Sequence, residues 1–454
     1  MHGGRIPSYR SSRFLPLVCA IGCALALTPF SAHANGRFPD ADQLVIDPSD
    51  PTRLVLRATF GMLQSMDGGA TWTWLCEEVI GYGGMDDPPI ALTANGTLIV
   101  GVNGGVAASG DRGCSWAVTG GPAAGYRITD VTVDRTDPSV ALAITAEDAD
   151  GNPDPFVVLS TDDGASWTKL EAEFSPEFIP QTIDTAPSDP ARIYVSGNVA
   201  SASEPPLLYR SDDYGGSWVA LPIATDARRA YISAIDPLDA DKLYVRLQGD
   251  SDDTMSVSED AGLTWTPLIT LTGPMLGFAL SPDGERVAVG TKAGGLHVAD
   301  TVDFAFSEVA PTGVRCLTWS AAGLYVCASE AIDGMTLGLS NDEGATLTPL
   351  YHLLDLEPQS CPSGTVTAET CPALWPAVEA SLGVGTGGAG GSPPAGGAGG
   401  AGGSAAAPEP SGCSCSATTR EPRPFGVFLT MGVGAWFCRR RARVGRSTTM
   451  DRQS

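Results

Sequence analysis

The chain has 454 residues, of which 43% are apolar, with 55 Gly, 35 Pro and a formal net charge of −25. This composition suits turn-rich β structure followed by a compositionally biased tail. Residues 36–382 contain 13 Arg and 3 Lys against 49 Asp and Glu, which argues against nucleic acid and anionic membrane as partners because both need a basic face.

The N-terminus has the layout of an export signal. Three arginines within the first thirteen residues precede an apolar run over 14–30, which is followed by the small residues Ala32 and Ala34. This order predicts a secretory signal peptide over residues 1–34 with cleavage after Ala34. A lipoprotein signal at Cys23 is the alternative, and the apolar residues that continue past this cysteine disfavour it.

An eight-residue pattern, Ser-x-Asp-x-Gly-x-Ser/Thr-Trp, recurs six times between residues 65 and 347, with Leu347 replacing Trp in the last copy. The Asp carboxylate can accept hydrogen bonds from the turn that follows it, and the Gly tolerates a positive φ. We therefore expect each copy to be a structural hairpin turn whose Trp begins the returning strand. The turn residues are Ser65, Asp67, Gly69, Trp72, Ser109, Asp111, Gly113, Trp116, Ser160, Asp162, Gly164, Trp167, Ser211, Asp213, Gly215, Trp218, Ser258, Asp260, Gly262, Trp265, Ser340, Asp342 and Gly344.

The spacing of the copies gives the number of repeat units. Successive serines are 44, 51, 51, 47 and 82 residues apart, and the last gap holds a degenerate copy at 299–306. A strand, an Asp/Pro-rich turn and a second strand precede most copies, as in 45–58 and 183–197. Seven units of four strands follow, and this predicts an all-β, seven-bladed β-propeller of four-stranded antiparallel blades over residues 35–350.

The eight-residue pattern resembles the Asp-box of BNR-repeat propellers, which include sialidases, sortilin, two-propeller xyloglucanases and photosystem assembly factors. The resemblance implies that each box lies between the third and fourth strands of a blade, away from any catalytic centre. The loops between second and third strands, and those between blades, then open on the opposite face, where related enzymes work.

Those loops supply the candidate ligand-contact residues. The loops between second and third strands are expected to be long in blades three, four and five, at 147–155, 198–206 and 248–254. The connections between blades carry charged and aromatic residues, and ordinary surface polarity is the alternative interpretation. The candidates are Glu177, Asp226, Arg228, Arg229 and Tyr231.

Two functions compete for this face. A sialidase needs three arginines that grip the substrate carboxylate, a Tyr nucleophile and acid/base carboxylates. The family's Arg-Ile-Pro motif occurs here only at 5–7, inside the signal peptide. The sequence Gly-Arg-Phe-Pro-Asp at 36–40 matches that motif only in part. We therefore expect a non-catalytic binding module for an extracellular glycan or protein, with an exo-sialidase-like glycoside hydrolase as the alternative.

Six cysteines fall between the export signal and the tail, an even number that predicts a disulfide framework. They are Cys76, Cys114, Cys316, Cys327, Cys361 and Cys371. Six cysteines allow 15 pairings, of which Cys316–Cys327, Cys361–Cys371 and Cys76–Cys114 are favoured. We expect no metal and no cofactor, because no cysteine spacing suits zinc and the calcium-like loop at 148–154 lacks the required Gly and Glu.

The C-terminal part divides into three segments. Residues 351–382 predict a disulfide-clipped cap with a short helix, and 383–411 a flexible Gly/Ala/Pro-rich tether. Residues 412–454 carry Cys413 and Cys415, a short apolar run and an arginine cluster, an order similar to the myxobacterial C-terminal sorting domain. That resemblance implies export machinery as a partner and lipidation at the outer membrane surface. A single-pass anchor is the alternative, and either places a monomeric propeller at the cell surface.

Overall fold

The computed structural model describes residues 39–382, except 120, 172–173 and 202–203. Seven four-stranded antiparallel sheets follow one another along the chain, so the predicted seven-bladed propeller is confirmed. In blades 1 to 4 the strands are β1 (Ala41–Ile46), β2 (Leu54–Ala58), β3 (Gly61–Ser65), β4 (Trp72–Leu75); β5 (Ile90–Leu92), β6 (Leu98–Val102), β7 (Gly105–Ser109), β8 (Ala117–Thr119); β9 (Arg127–Val133), β10 (Ala141–Glu147), β11 (Val157–Ser160), β12 (Thr168–Lys169); β13 (Phe178–Ala186), β14 (Asp189–Val199), β15 (Leu207–Ser211), β16 (Val219–Pro222). In blades 5 to 7 they are β17 (Arg229–Ile235), β18 (Leu243–Gln248), β19 (Asp252–Ser258), β20 (Thr266–Thr272); β21 (Gly277–Leu280), β22 (Arg286–Thr291), β23 (Gly295–Asp300), β24 (Ser307–Ala310); β25 (Cys316–Ser320), β26 (Gly323–Cys327), β27 (Leu337–Ser340), β28 (Thr348–Tyr351).

The first strand of each blade faces the central channel, and side chains tie these inner strands into a ring. The backbone N–H of Ile183 in blade 4 donates to Asp130 Oδ2 of blade 3 at 2.9 Å. The ring is closed between the last and first blades, where Thr318 Oγ1 donates to the Leu44 carbonyl at 3.0 Å. These bonds satisfy polar groups that the packing of neighbouring blades would otherwise leave unpaired.

Each Asp-box is a self-contained polar turn, as the third box shows. Ser160 Oγ accepts from Gly164 N at 2.9 Å and donates to Asp162 Oδ1 at 2.9 Å. The same carboxylate accepts from Ser166 N at 2.8 Å and Ser166 Oγ at 2.6 Å. All six boxes lie between the third and fourth strands of their blades, and the degenerate copy occupies the same position in blade 6. The scaffold role predicted for the pattern fits this geometry.

The boxes define one face of the ring, the box face. In several blades the turn between first and second strands is hydrogen-bonded to the box of the same blade: Gly68 N donates to Thr52 O at 2.7 Å, and Asp163 N to Ser139 O at 3.0 Å. Both kinds of turn therefore lie on the box face. The turns between second and third strands, and the connections between blades, lie on the opposite face, which we call the crown face.

The box carboxylates make the stability of the fold sensitive to acid. The hydroxyl of the following Ser or Thr donates to them and lowers their pKa below the ordinary 3.8, as at Asp67, Asp162 and Asp342. A depressed folded pKa means that the stabilisation is present above the unfolded pKa and is lost as the pH falls through the folded pKa.

We expect Asp162→Asn to destabilise the protein at neutral pH and to flatten the dependence of its stability on acid. Urea unfolding of both proteins from neutral pH to about pH 3 measures this. Ser166→Ala keeps the carboxylate but removes one donor to it. The pH dependence of its unfolding free energy should therefore lie between those of the wild type and Asp162→Asn. An unchanged pH slope in Asp162→Asn would contradict the assigned role of the carboxylate.

A C-terminal segment, the clasp (residues 356–381), fastens the last blade to the first two. Strand β29 (Leu356–Pro358) pairs in parallel with β4 and adds a fifth strand to blade 1. Helix α3 (Val366–Ser381) then packs beside it, with the Trp375 ring 5.6 Å from that of Trp74. Thr367 Oγ1 donates to the carbonyl of Gly113 in blade 2 at 2.6 Å. Two shorter helices, α1 (Glu77–Ile80) and α2 (Glu330–Asp333), interrupt loops on the crown face.

The disulfides correct two of the favoured pairings. Cys316–Cys327 forms as expected across β25 and β26, where the two residues are directly opposed. The pairings Cys76–Cys114 and Cys361–Cys371 are wrong, because Cys76 bonds Cys371 and Cys114 bonds Cys361. The clasp lies across the outer edge of blades 1 and 2, and this brings sequence-distant cysteines together. Three disulfides indicate an oxidising compartment.

Several predictions concern residues that lie outside the described part of the chain. These are the signal peptide (1–34), the tether (383–411) and the tail with Cys413 and Cys415 (412–454). Within the described residues, no helix has the length and apolarity required to cross a bilayer.

Candidate functional site

A polar cleft opens on the crown face beside the central channel, and we call it the crown cleft. It combines a cavity of about 220 Å³ with an adjoining cavity of about 420 Å³, and the two share Asp86, Asn103 and Arg127. Blades 1, 2, 3, 4 and 5 all contribute to it. The polar and aromatic side chains around it are Tyr82, Asp86, Asp87, Asn103, Arg127, Glu147, Asp148, Gln181 and Tyr231.

Arg57 of β2 fixes one wall of the cleft. Its guanidinium pairs with Asp42 at 2.9 Å and donates to the carbonyls of Asp87 and Pro88 at 3.1 and 3.2 Å. A planar guanidinium offers several donors in a fixed fork, so it holds the connection between blades 1 and 2 in one conformation. The positions of Tyr82 and Asp86 follow from this connection. Burial raises the pKa of Tyr82 well above its ordinary value, so its hydroxyl stays neutral.

Tyr231 of β17 forms another wall and is held by a stacked cation. The Arg246 guanidinium lies 4.1 Å from the centre of the Tyr231 ring, opposite it in the register of β17 and β18. Arg246 donates to the Met275 carbonyl at 2.9 Å and lies 3.8 Å from the buried carboxylate of Asp253. Stacking on a cation fixes the ring without covering both of its faces.

The rim of the cleft is acidic. Arg127 pairs with Glu147 at 3.3 Å, and both side chains are about half exposed (53% and 40%). Asn103 donates to Asp86 Oδ2 at 3.0 Å. Carboxylates outnumber the single arginine of the lining, so an anionic ligand meets repulsion here whereas a neutral or cationic one does not.

In the calcium-like loop next to the cleft, the Asp148 carboxylate accepts hydrogen bonds from the loop itself. Asp148 Oδ1 accepts from the backbone N–H groups of Asp150 and Asn152, both at 2.9 Å. The Asn152 side chain donates to the same carboxylate and lowers the pKa of Asp148. Between residues 39 and 382, the described side chains form no group of three or more His, Cys, Asp or Glu that could hold a metal ion.

Below the cleft, two carboxylates from neighbouring inner strands face the channel. Asp130 accepts from Val131 N and Ile183 N, both at 2.9 Å. Asp184 accepts from the Thr132 hydroxyl at 3.1 Å and from Thr185 N at 2.9 Å. Protein surrounds both carboxylates on most sides, and this burial raises the pKa of Asp184 and brings that of Asp130 to about 7. Both are bonded to the scaffold, which is a structural role.

The five residues predicted to contact a ligand do not converge on one site. Tyr231 lines the crown cleft, whereas Asp226 lines a separate cavity of about 430 Å³ between blades 4 and 5. Arg228 is exposed and pairs with Asp250 at the edge of that second cavity. Arg229 is exposed at the start of β17, and Glu177 is exposed in the turn before β13. Arg229 and Glu177 line neither the crown cleft nor the cavity between blades 4 and 5.

The loop prediction for the crown face is right for two blades and wrong for the third. The loops between second and third strands are long in blades 3 and 4, but in blade 5 the strands are joined by the short turn 249–251. Blade 7 has a long one instead, at 328–336, which contains α2. Tyr82, Asp86 and Arg127 line the cleft but were not among the predicted residues. The signal for the first two was the unusually long connection 76–89 between blades 1 and 2.

The fold is similar to that of solved β-propellers. The crystal structure of an ancestral GH74 enzyme matches with 13% identity and a TM-score of 0.53, over 69% of this chain and 46% of the enzyme. The GH74 xyloglucanase of Xanthomonas campestris (17% identity, TM-score 0.36) matches over 68% of this chain and 64% of its own. YCF48 of Cyanidioschyzon merolae (15% identity, TM-score 0.37) matches over 69% of this chain and 85% of its own.

This chain therefore spans less than two thirds of the length of either enzyme, and similarity at such low identity shows the fold alone. No protein-family profile matches the chain, and no curated protein matches it in sequence.

Proposed function

We propose that the protein is a non-catalytic binding module that takes a neutral glycan in the crown cleft. The observation that carries the proposal is the pairing of two aromatic walls, Tyr82 and Tyr231, with an acidic and amide-bearing rim. Aromatic faces pack against the apolar faces of sugar rings. Carboxylate and amide oxygens accept hydrogen bonds from hydroxyl groups.

The charge of the cleft supports a neutral ligand over a sialoside. Binding a sialic acid carboxylate requires arginines that are free to turn toward it. Four crown-face arginines are instead paired with carboxylates of the protein, namely Arg57, Arg127, Arg228 and Arg246. Recruiting three of them would leave their own carboxylates unpaired, so this arrangement disfavours an exo-sialidase.

The location of the protein outside the cell is part of the same proposal. An export signal, a Gly-rich tether and a tail similar to a sorting domain would place the propeller outside the cell, fixed at the outer membrane surface. The disulfides agree with an exported domain. A glycan of the envelope or of the surroundings is then within reach of the crown face.

Tyr231→Ala is expected to weaken binding of neutral oligosaccharides roughly tenfold, because one aromatic wall is lost. The measurement is isothermal titration of the full chain with neutral β-glucan oligosaccharides. Tyr214→Ala is the matched control, since it removes a 60% exposed tyrosine from the box face and should leave affinity unchanged. The thermal unfolding midpoint of each variant shows that the fold persists.

Three results would overturn the proposal. Release of sugar from fluorogenic sialosides or β-glucans would show an enzyme instead of a binding module. Equal weakening by Tyr231→Ala and Tyr214→Ala would place the site elsewhere. Absence of binding to the neutral panel, together with binding of a basic peptide, would assign the cleft to a protein ligand.

A further inference from the structure

Another cavity opens on the box face, opposite the crown cleft. It has a volume of about 490 Å³ and occupies the central channel between the inner strands of six blades. Polar and apolar atoms contribute about equally to the surface of its wall. The apolar side chains include Ile46, Val133, Phe278, Leu280 and Trp319, all of them only partly buried. Cavities of this size and character commonly hold a small ligand.

The polar groups in the wall are mostly satisfied by the wall itself. Gln43 exchanges hydrogen bonds with the backbone of Ile90 at 3.2 and 3.3 Å, and Thr318 donates to Leu44 O at 3.0 Å. Thr132 donates to Asp184 at 3.1 Å. A ligand in this cavity would therefore make apolar contacts with the apolar side chains of the wall, with its orientation set at the rim.

One charged side chain stands at that rim. Arg135, in the turn after β9, is exposed and is the single charged residue of the lining that the structure describes. Nine of the twelve described arginines lie within 4.0 Å of a carboxylate; Arg135 is not among them. No carboxylate of residues 39–382 lines the cavity either. Burial raises the pKa of Asp184, which lies outside the lining, and the charge of Arg135 opposes that rise, so the guanidinium acts on this carboxylate without forming an ion pair within 4.0 Å. An exposed guanidinium at the rim of this cavity, in so acidic a protein, offers a place for one anionic group.

We infer that the box-face channel binds a small amphipathic carboxylate, with its apolar body between Phe278, Leu280 and Trp319 and its carboxylate on Arg135. This site is independent of the glycan site, because the two open on opposite faces and share no residue. The box face thus carries a ligand site as well as the structural turns.

Titration of the full chain with decanoate and with 1-decanol tests the inference. Decanoate should bind more tightly than 1-decanol, and Arg135→Gln should weaken decanoate roughly tenfold while leaving 1-decanol unchanged, as for the loss of one charge-assisted hydrogen bond. Leu280→Asp should weaken both ligands. Arg112→Gln is the matched control, because Arg112 is likewise exposed, unpaired among the described residues and on the box face, but does not line the cavity.

Equal affinity for the two ligands, or equal weakening of decanoate by Arg135→Gln and Arg112→Gln, would overturn the assignment of the carboxylate to Arg135. Failure of both ligands to bind the wild-type protein below millimolar concentration would overturn the site as a whole. Neither outcome bears on the crown cleft, whose test uses different variants and ligands.

Discussion

Replacing all four clasp cysteines, Cys76, Cys371, Cys114 and Cys361, by alanine is expected to lower the free energy of unfolding by about 10 kcal/mol in the chain-entropy relation. This approaches the whole stability of an ordinary domain. The two bridges close loops of 295 and 247 residues, which contain most of the ring. Their loss leaves the last blade joined to the first only by noncovalent contacts.

Removing only one of the two bridges should lower the free energy of unfolding by less than half of the loss in the quadruple variant. While Cys114–Cys361 remains, Cys76–Cys371 closes an additional loop of only about 50 residues, and the same relation then gives about 4 kcal/mol. Removing Cys114–Cys361 while Cys76–Cys371 remains should cost the same amount. Either double variant should therefore keep a closed ring, and the quadruple variant should lose more than twice as much stability as either.

Equilibrium urea unfolding of the oxidised proteins measures these differences. Cys316→Ala with Cys327→Ala is the control, because this bridge closes a separation of 11 residues within one blade and should cost about 3 kcal/mol. If the quadruple variant is no less stable than either double variant, the clasp does not hold the ring. Hydrogen exchange over 356–381 then shows whether the clasp detaches while the blades stay folded.

The blades could be predicted from sequence because each box is a local structure. Its hydrogen bonds join residues at most four apart, as between Ser160 and Gly164, so six copies reveal six hairpins without knowledge of the rest of the fold. The doubled spacing before the last box, together with the retained Asp300, Asp303 and Phe306, also predicts the degenerate copy at 299–306. The short-range bridge Cys316–Cys327 follows from the same hairpin logic, since both cysteines lie on adjacent strands.

The clasp and the crown cleft could not be predicted in this way, because both depend on contacts between distant residues. Cys76 and Cys371 are 295 residues apart, and nothing local distinguishes their pairing from the other possibilities. The cleft is lined by Tyr82, from the connection between blades 1 and 2, and by Tyr231 of blade 5, and only the closed ring brings both residues to one cavity. The lengths of the crown-face loops were also predicted only in part. In blade 5, Gly249 N donates to Asp252 O at 3.0 Å, so a tight turn joins the two strands where a long loop was expected.

The junction between blades is also where a single glycine should have a large effect. In each of the six boxes, the box glycine lies against a side chain of the preceding blade. In box 1 this is the junction of blades 7 and 1: a Cβ on Gly69 would lie 2.7 Å from both Cγ and Cδ2 of Leu350, at a φ of +98°. Strain at positive φ and overpacking together predict that Gly69→Ala costs about 2–4 kcal/mol.

The neighbouring glycine in the same box is a matched control. Gly68 has a φ of +73°, and a Cβ there would meet nothing within 4 Å. Ala261 occupies the equivalent position of box 5 at a φ of +59°, so an alanine is accepted there. Gly68→Ala should cost about 1 kcal/mol or less, and urea unfolding of the two variants separates backbone strain from the clash between blades.

The clash can be isolated further with Leu350→Ala in both backgrounds. Truncation should destabilise the wild type by about 2 kcal/mol or more but should cost less, or stabilise, in Gly69→Ala, since it removes the atoms that the new Cβ meets. Additive effects would contradict the contact. Blade 6 differs, because its degenerate turn has lost that glycine. There the ring centre of Phe304 lies 6.2 Å from the ring centre of Tyr244 in blade 5. An aromatic side chain there makes the contact between blades that the close approach of a glycine makes in the six boxes.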